Sequence, residues 1–184
     1  MILEIVKYGH PALRTKGAPV KEVNADIRKL AVDMLETMVA AHGVGLAAQQ
    51  VGVPIQMTVI DVSGIEDRPS TMLIGGRPVS VEEHMPLILL NPVLTLGKVK
   101  EPGNEGCLSF PEVSAEILRA RGVKAKAHLL DGGTIEFEAG GLLARALQHE
   151  VDHLHGILFI DRMNSATKAS LAGKLKKLKS ETLG

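Results

Sequence analysis

The chain has 184 residues, 45% hydrophobic and 23% charged, enough to bury a core without disulfide or metal staples, so disorder is excluded for the chain as a whole. Lys+Arg and Asp+Glu balance at 21 each and only 2% of residues are aromatic, which excludes a global field for polyanions and an aromatic platform for single-stranded nucleic acid. The single cysteine, Cys107, cannot close an internal disulfide and fits a reducing compartment. The opening MILEIVKYGHPALR has no basic, apolar and small-residue succession of a signal peptide. The uncharged run from Thr37 to Ile60 contains Gln49, Gln50, Gln56, His42 and Pro54, the wrong content for hydrocarbon, so a soluble cytoplasmic protein without a membrane partner is expected.

In chain order, Asn24–His42 reads as a helix. Asn24 or Asp26 can cap it, Ile27, Leu30, Ala31, Met34, Leu35 and Met38 recur at helical spacing, and Gly43 stands where a C-terminal glycine belongs. Gln56–Val62 is β-branched and reads as a strand. Ser63–Pro86 is polar, with several Gly and Pro, and reads as a long loop or irregular hairpin, a solvated insertion. Leu87–Leu96 is an apolar strand broken at Asn91-Pro92. Leu118–Leu130 and Thr134–Phe137 flank a hairpin turn at Asp131-Gly132-Gly133.

Gly140–Gly156 carries the strongest helical pattern. On a wheel, Leu143, Leu147 and Leu154 face the core, while Arg145, Gln148, Asp152 and His155 form a polar sector. A third stripe holds Leu142, Ala146, His149 and His153, with Glu150 between that stripe and the core. The run His149-Glu150-Val151-Asp152-His153 is an H-E-x-x-H motif. Histidines four residues apart stand about 6 Å apart along the axis, so both imidazoles can converge on one cation. The glutamate, on an adjacent face, can take a proton from an activated water instead of ligating. A chance coincidence of two histidines and a glutamate is the bland alternative.

A catalytic metal calls for a third protein ligand and an open position. His155 points to the wrong sector, and Asp161 and Glu181 have no ligand context. Upstream stands Cys107 in Glu105-Gly106-Cys107-Leu108-Ser109-Phe110-Pro111, in glycine-flanked polar surroundings that argue against an ordinary core cysteine. Gly43–Gln50 (GVGLAAQQ) follows the first helix. It matches neither phosphate-loop nor dinucleotide patterns, but glutamine amides and backbone N–H groups suit an oxyanion.

GVGLAAQQ, EGCLS (Glu105–Ser109) and QHEVDH (Gln148–His153), in this order and spacing, closely resemble the three signature motifs of bacterial peptide deformylases. The resemblance runs from KYGHPALR (Lys7–Arg14) to about Asp161. It implies an α+β fold in which a central H-E-x-x-H helix packs against antiparallel strands, with N-terminal and C-terminal helices. It also implies a metal-dependent catalytic domain over residues 1–164, with 165–184 as a basic C-terminal helix of the same domain. Cys107, His149 and His153 would bind one divalent metal ion, Fe²⁺ by resemblance, although the donor set equally suits Zn²⁺, Ni²⁺ or Co²⁺. Glu150 would be the acid/base, and Gln50 with the Leu108 N–H would steady an oxyanion. Gly45 would bind the substrate backbone, with Val44, Glu105 and Leu142 lining a methionine pocket.

The implied reaction removes the formyl group from the formyl-methionine of nascent peptides, releasing formate. A zinc endopeptidase and a non-catalytic metal module are the rival classes. Phe110, Arg145 and Ala146 depart from some relatives and bear on pocket shape. Asp152 is either solvated or paired with Arg119 or Arg121. The tail from Ser165 holds five lysines against one acid, with Leu171, Leu175 and Leu178 at helical spacing. By charge it is a solvated helix, and the resemblance makes it a candidate for docking on the phosphate-rich ribosome surface, with no sequence-specific nucleic acid.

Overall fold

The computed structural model describes residues 1–184. Helix α1 (Ala25–Ala40) is capped by Asn24, whose Oδ1 accepts the Ile27 N–H at 3.0 Å, so of the two expected caps Asn24 is the one used. The left-handed residue closing it is His42 (φ 58°), not Gly43. Gly43 lacks a side chain for another reason: a Cβ there would stand 2.7 Å from Leu108 Cδ1.

Seven strands form one antiparallel sheet: β1 (Gly45–Ala47), β2 (Met57–Ile60), β3 (Ser70–Ile74), β4 (Arg77–Pro78), β5 (Leu87–Leu96), β8 (Gly122–His128) and β9 (Thr134–Gly140), in the order β1-β2-β5-β8-β9-β3-β4. β6 (Lys100–Cys107) and β7 (Phe110–Ala120) make a separate antiparallel pair. Helix α2 (Gly141–Leu154) is central, and α3 (Ser165–Leu183) closes the chain. The α+β class with a central helix on antiparallel strands is therefore as expected. No helix is long and apolar enough to cross a membrane.

Three expectations need correction. First, Leu118–Leu130 is not one strand region. Its alternation breaks at Arg119-Ala120, two successive buried residues, and after the exposed Arg121 the chain leaves the small sheet and enters the large one. Second, Ser63–Pro86 is more than a solvated insertion. Its β3–β4 hairpin, turned by Gly75-Gly76, completes the sheet edge and buries Met72, and Ser70 Oγ accepts the Leu143 N–H at 3.0 Å. Third, the supposed polar sector of α2 is not a solvent face. Arg145 and Gln148 are buried and Asp152 is half-buried; only His155 is exposed. The Asn91-Pro92 break proves to be an irregularity inside a continuous β5, with the Asn91 side chain bonded to both the N–H and the C=O of Val20 at 2.8 Å.

The core side of α2 behaves as the wheel predicts. Leu143, Leu147 and Leu154 are fully buried, and the first two pack with Ile60, Leu89 and Phe137 of the large sheet. A second cluster joins Phe110, Val113 and Ile117 of β7 to Leu13, Phe159 and Leu175, which buries one face of α3. α1 lies over β1 and β2 through Met34, Met38, Leu46 and Met57.

The start of α2 is the tightest point of the frame. Gly141 has φ +66°, and a Cβ there would lie 2.0 Å from Pro69 O; one on Gly140 would lie 2.4 Å from Thr71 Oγ1. Gly141→Ala is therefore expected to destabilise the protein by the strain of a left-handed alanine, about 1–3 kcal/mol, and by a steric overlap in addition. A urea titration checks it: the midpoint should fall with an unchanged slope, whereas an unchanged midpoint would show that β3 and α2 are not in this contact.

Candidate metal centre and active-site cleft

α2 presents His149 and His153 one turn apart, with ring centroids 5.0 Å from each other. Cys107 comes from the end of β6, and its Sγ lies 3.4 Å from His153 Nε2. One donor atom from each of Cys107, His149 and His153 lies within 4.8 Å of the others. Two ligands sharing a tetrahedral ion at ordinary metal–sulfur and metal–nitrogen lengths stand about 3.5 Å apart, so the donor set fits a single small cation. Its chemistry fits as well. Burial lowers the pKa of His153, so the ring is neutral with a lone pair to give. The Nδ1 of His149 lies 2.9 Å from Glu105 Oε1, an arrangement that turns Nε2 toward the other donors.

Glu105 is the charged hub behind the histidine. It is 6% exposed, and its two oxygens take both arms of Arg119 at 2.9 Å, Arg145 Nη1 at 2.8 Å and His149. Burial opposes its ionisation, but the Arg119 and His149 hydrogen bonds and charges outweigh this and hold the carboxyl well below the usual carboxylate range. Arg119 continues to Asp152 at 2.6 Å, and Asp152 accepts from Arg162 at 2.9 and 3.1 Å. Of the two partners considered for Asp152, Arg119 is the one used; Arg121 lies with Glu101, exposed, at 3.6 Å. Asp161 pairs with Arg14 and stays far from any ligand role.

Glu150 has the opposite surroundings. It is 4% exposed, its Oε2 has no hydrogen-bond partner, and Oε1 stands 3.9 Å from His149 Nε2. Burial pushes its pKa up to about 7. The carboxyl lies against the backbone of Gly45, where a Cβ would stand 2.8 Å from Glu150 Cγ. Gln50 is steered by its own loop: Oε1 accepts the Ala47 N–H at 3.0 Å, which aims Nε2 at Ser109 Oγ (3.2 Å) and Cys107 Sγ (3.6 Å). No backbone carbonyl takes the N–H of Leu108 in the turn after Cys107.

These groups open on a cleft of about 690 Å³, whose walls include Val44, Gly45, Leu142, Ala146, Glu105 and Leu108. His153 is enclosed behind it, 1% exposed. The structure thus brings together all ten residues singled out from the sequence. Arg145, which the sequence connects with pocket shape, borders the cleft and also binds Glu105, a pairing the sequence does not show; Arg119 pairs with Glu105 as well as Asp152; Arg68, unmarked in the sequence, reaches across the rim to Asn104 O at 3.1 Å. No local pattern marks these pairings, because each arginine finds its partner on a distant strand or loop.

The polypeptide deformylase family matches residues 2–169. A peptide deformylase of Methylacidiphilum infernorum is 50% identical over 179 residues, covering 97% of this chain and 94% of the relative. One from Chromohalobacter salexigens is 44% identical over 176 residues, covering 95% and 94%. The crystal structure of a peptide deformylase from Legionella pneumophila superposes with a TM-score of 0.81 at 32% identity, covering 100% of this chain and 98% of that one. Matching motifs, near-complete coverage and a shared fold agree, and the chain belongs to the polypeptide deformylase family.

Proposed function

We propose that the protein hydrolyses the N-formyl group from the formyl-methionine of newly made polypeptides, releasing formate, and that the groups around Cys107 are its catalytic centre. The observation that carries this reading is a buried carboxyl with an unpartnered oxygen, Glu150 Oε2, beside three converging metal donors at a cleft. Cys107, His149 and His153 would hold a divalent ion, Fe²⁺ by family resemblance with Zn²⁺, Ni²⁺ or Co²⁺ able to substitute. Such an ion lowers the pKa of water and polarises a formyl oxygen.

The protein's own groups do the rest. Glu150, with its carboxyl poised near neutrality, takes the proton of the attacking water on Oε2 and later delivers it to the departing peptide nitrogen. Gln50 Nε2 and the Leu108 N–H face the developing oxyanion, a contribution of about 3 kcal/mol for each donor in comparable sites. Gly45, on the edge strand β1, offers its backbone to the substrate chain, and Val44 and Leu142 give apolar walls for the methionine side chain. The tail supports a docking role: all five lysines of α3 are exposed while Leu175 is buried.

Glu150→Ala should keep close to one metal per chain while formate release from a formyl-Met peptide falls about 10²–10⁴-fold. Cys107→Ala and His149→Ala should instead lose the metal. Metal analysis beside a formate assay, with an unblocked peptide as control, checks this; loss of metal from Glu150→Ala, or cleavage of the control, overturns the reading.

A thiolate beside Fe²⁺ is open to oxidation, so the iron form should lose activity in air faster than a nickel form. Equal decay rates would speak against iron as the native metal.

For the tail, reversing Lys168, Lys174, Lys176, Lys177 and Lys179 to glutamate should lower ribosome cosedimentation with turnover of a short formyl-Met peptide unchanged. The parent's cosedimentation should weaken with salt. Undiminished cosedimentation would leave α3 an ordinary solvated helix.

A further inference from the structure

The metal donors belong to two separate pieces of the fold. Cys107 ends β6 in the two-stranded sheet, whereas His149 and His153 stand on α2, which packs on the seven-stranded sheet. Backbone hydrogen bonds link the two pieces only at the crossing, where the Gly97 N–H donates to Gly122 O at 2.9 Å and the Arg121 N–H to Val99 O at 2.8 Å, at the end of the hairpin remote from Cys107. Apolar packing gives β6 little footing, since its sequence KEPGNEGC has no large hydrophobic residue. A slip of one residue along a strand moves a side chain about 3.3 Å and turns it to the other face. Such a slip would destroy the 3.4 Å spacing between Cys107 and His153.

The side-chain bonds that cross between the pieces come largely from the polar sector of α2. Arg145 donates through Nη1 to Ile117 O of β7 (2.9 Å) and Glu105 (2.8 Å), and through Nη2 to Glu101 O of β6 (2.9 Å). Its guanidinium lies against Gly103, where a Cβ would stand 2.7 Å from Cζ and Nε. Three residues on, Gln148 makes a strand-like pair with Ala120. Its Oε1 accepts the Ala120 N–H at 3.0 Å, and its Nε2 donates to Ala120 O at 2.8 Å. Ala120 is the last residue of β7 before the chain crosses to the other sheet. One turn further, Asp152 receives Arg119.

We propose that Arg145 and Gln148 are positioning residues that hold the Cys107-bearing hairpin in register with His149 and His153, so that the three donors reach one ion together. This rests on the metal reading above. Both residues act at a distance from the reacting atoms: Arg145 fixes β6 and β7 at three points around Glu105, and Gln148 fixes the far end of β7. Three acceptors at different positions on two strands set a register that a single charge pair cannot.

The test uses the full chain loaded with Co²⁺, read by the thiolate-to-cobalt charge-transfer band, by competition with a chelator and by circular dichroism of the metal-free protein. The parent should show the band and stoichiometric binding; a parent without it would overturn the metal reading itself. Arg145→Met and Gln148→Met should bind Co²⁺ about 10–100-fold more weakly and show a shifted or diminished band even at saturation, while keeping the folded dichroism spectrum. Arg145→Lys retains a charge for Glu105 but cannot reach both carbonyls, and should not restore the band. Gly103→Ala keeps every partner but pushes the guanidinium aside, and should weaken binding with the Gln148 pair intact; it decides the matter if Arg145→Met does not fold. Folded variants with the parent's band and an affinity within about twofold would overturn the inference.

Discussion

A carboxylate at 6% exposure is tolerable only if its charge is matched where it sits, and Glu105 sets that condition for half the molecule. Its two oxygens accept from three side chains, and each of those carries a further obligation. Arg119, itself 4% exposed, needs a second anion and finds Asp152. Asp152 takes Arg162, whose guanidinium reaches solvent. Charges therefore alternate in sign from Glu105 through Arg119 and Asp152 to Arg162 at the surface. Breaking such a pair from one side costs several kcal/mol because the partner stays behind uncompensated. The hairpin, α2 and the connection into α3 are thus tied to one electrostatic condition.

The same helix and its neighbouring strand carry two buried carboxyls with opposite fates. Glu105 is crowded with cations and stays ionised well below the usual range; Glu150, 4% exposed, has no arginine against it and is raised to about 7. Environment alone separates them. The backbone of Gly45 lies where any side chain would meet Glu150, so the carboxyl is packed closely on that flank with no polar group against it. Glu105 is suited to hold an imidazole in one orientation, and Glu150 to gain and lose a proton near neutrality. Exchanging their surroundings would remove both properties.

What the sequence made legible follows from how local each signal is. The H-E-x-x-H spacing and the core stripe Leu143, Leu147 and Leu154 depend on residues within about three turns of one helix and stand as read, and of the two caps the sequence offers Asn24 is the one used. The β6 strand was not legible, because glycine, proline and charge suppress every strand signal in KEPGNEGC. Its glycines serve close approaches instead, Gly103 to the Arg145 guanidinium among them. The polar sector that holds Arg145 and Gln148 is legible, but its neighbours are not, because periodicity reports which face differs in polarity and not what that face meets. A polar row against water and a polar row against strand ends have the same spelling. Only the pairing of Gln148 with Ala120, 28 residues away, separates the cases.

The hairpin's remaining support comes from the two ends of the chain. Three of the four aromatic residues form one column: Tyr8 stacks on Phe110 at 4.8 Å, Phe110 meets Phe159 edge-on at 5.1 Å, and Phe159 lies 5.9 Å from the His149 ring. Phe110 directly follows the turn that carries Leu108 and Ser109, so its burial anchors the strand next to Cys107. Leu175 of α3 and Leu13 of the N-terminal segment close the same cluster, and Lys179 reaches over the Tyr8 ring at 5.9 Å. An aromatic at position 110 in place of a smaller residue thus adds apolar area where the glycine-rich hairpin has least of its own. α3 is in consequence two-sided: its leucines help hold the wall behind the donor set, while its lysines are exposed, with Lys179 over Tyr8 and Lys174 donating to Glu112 O.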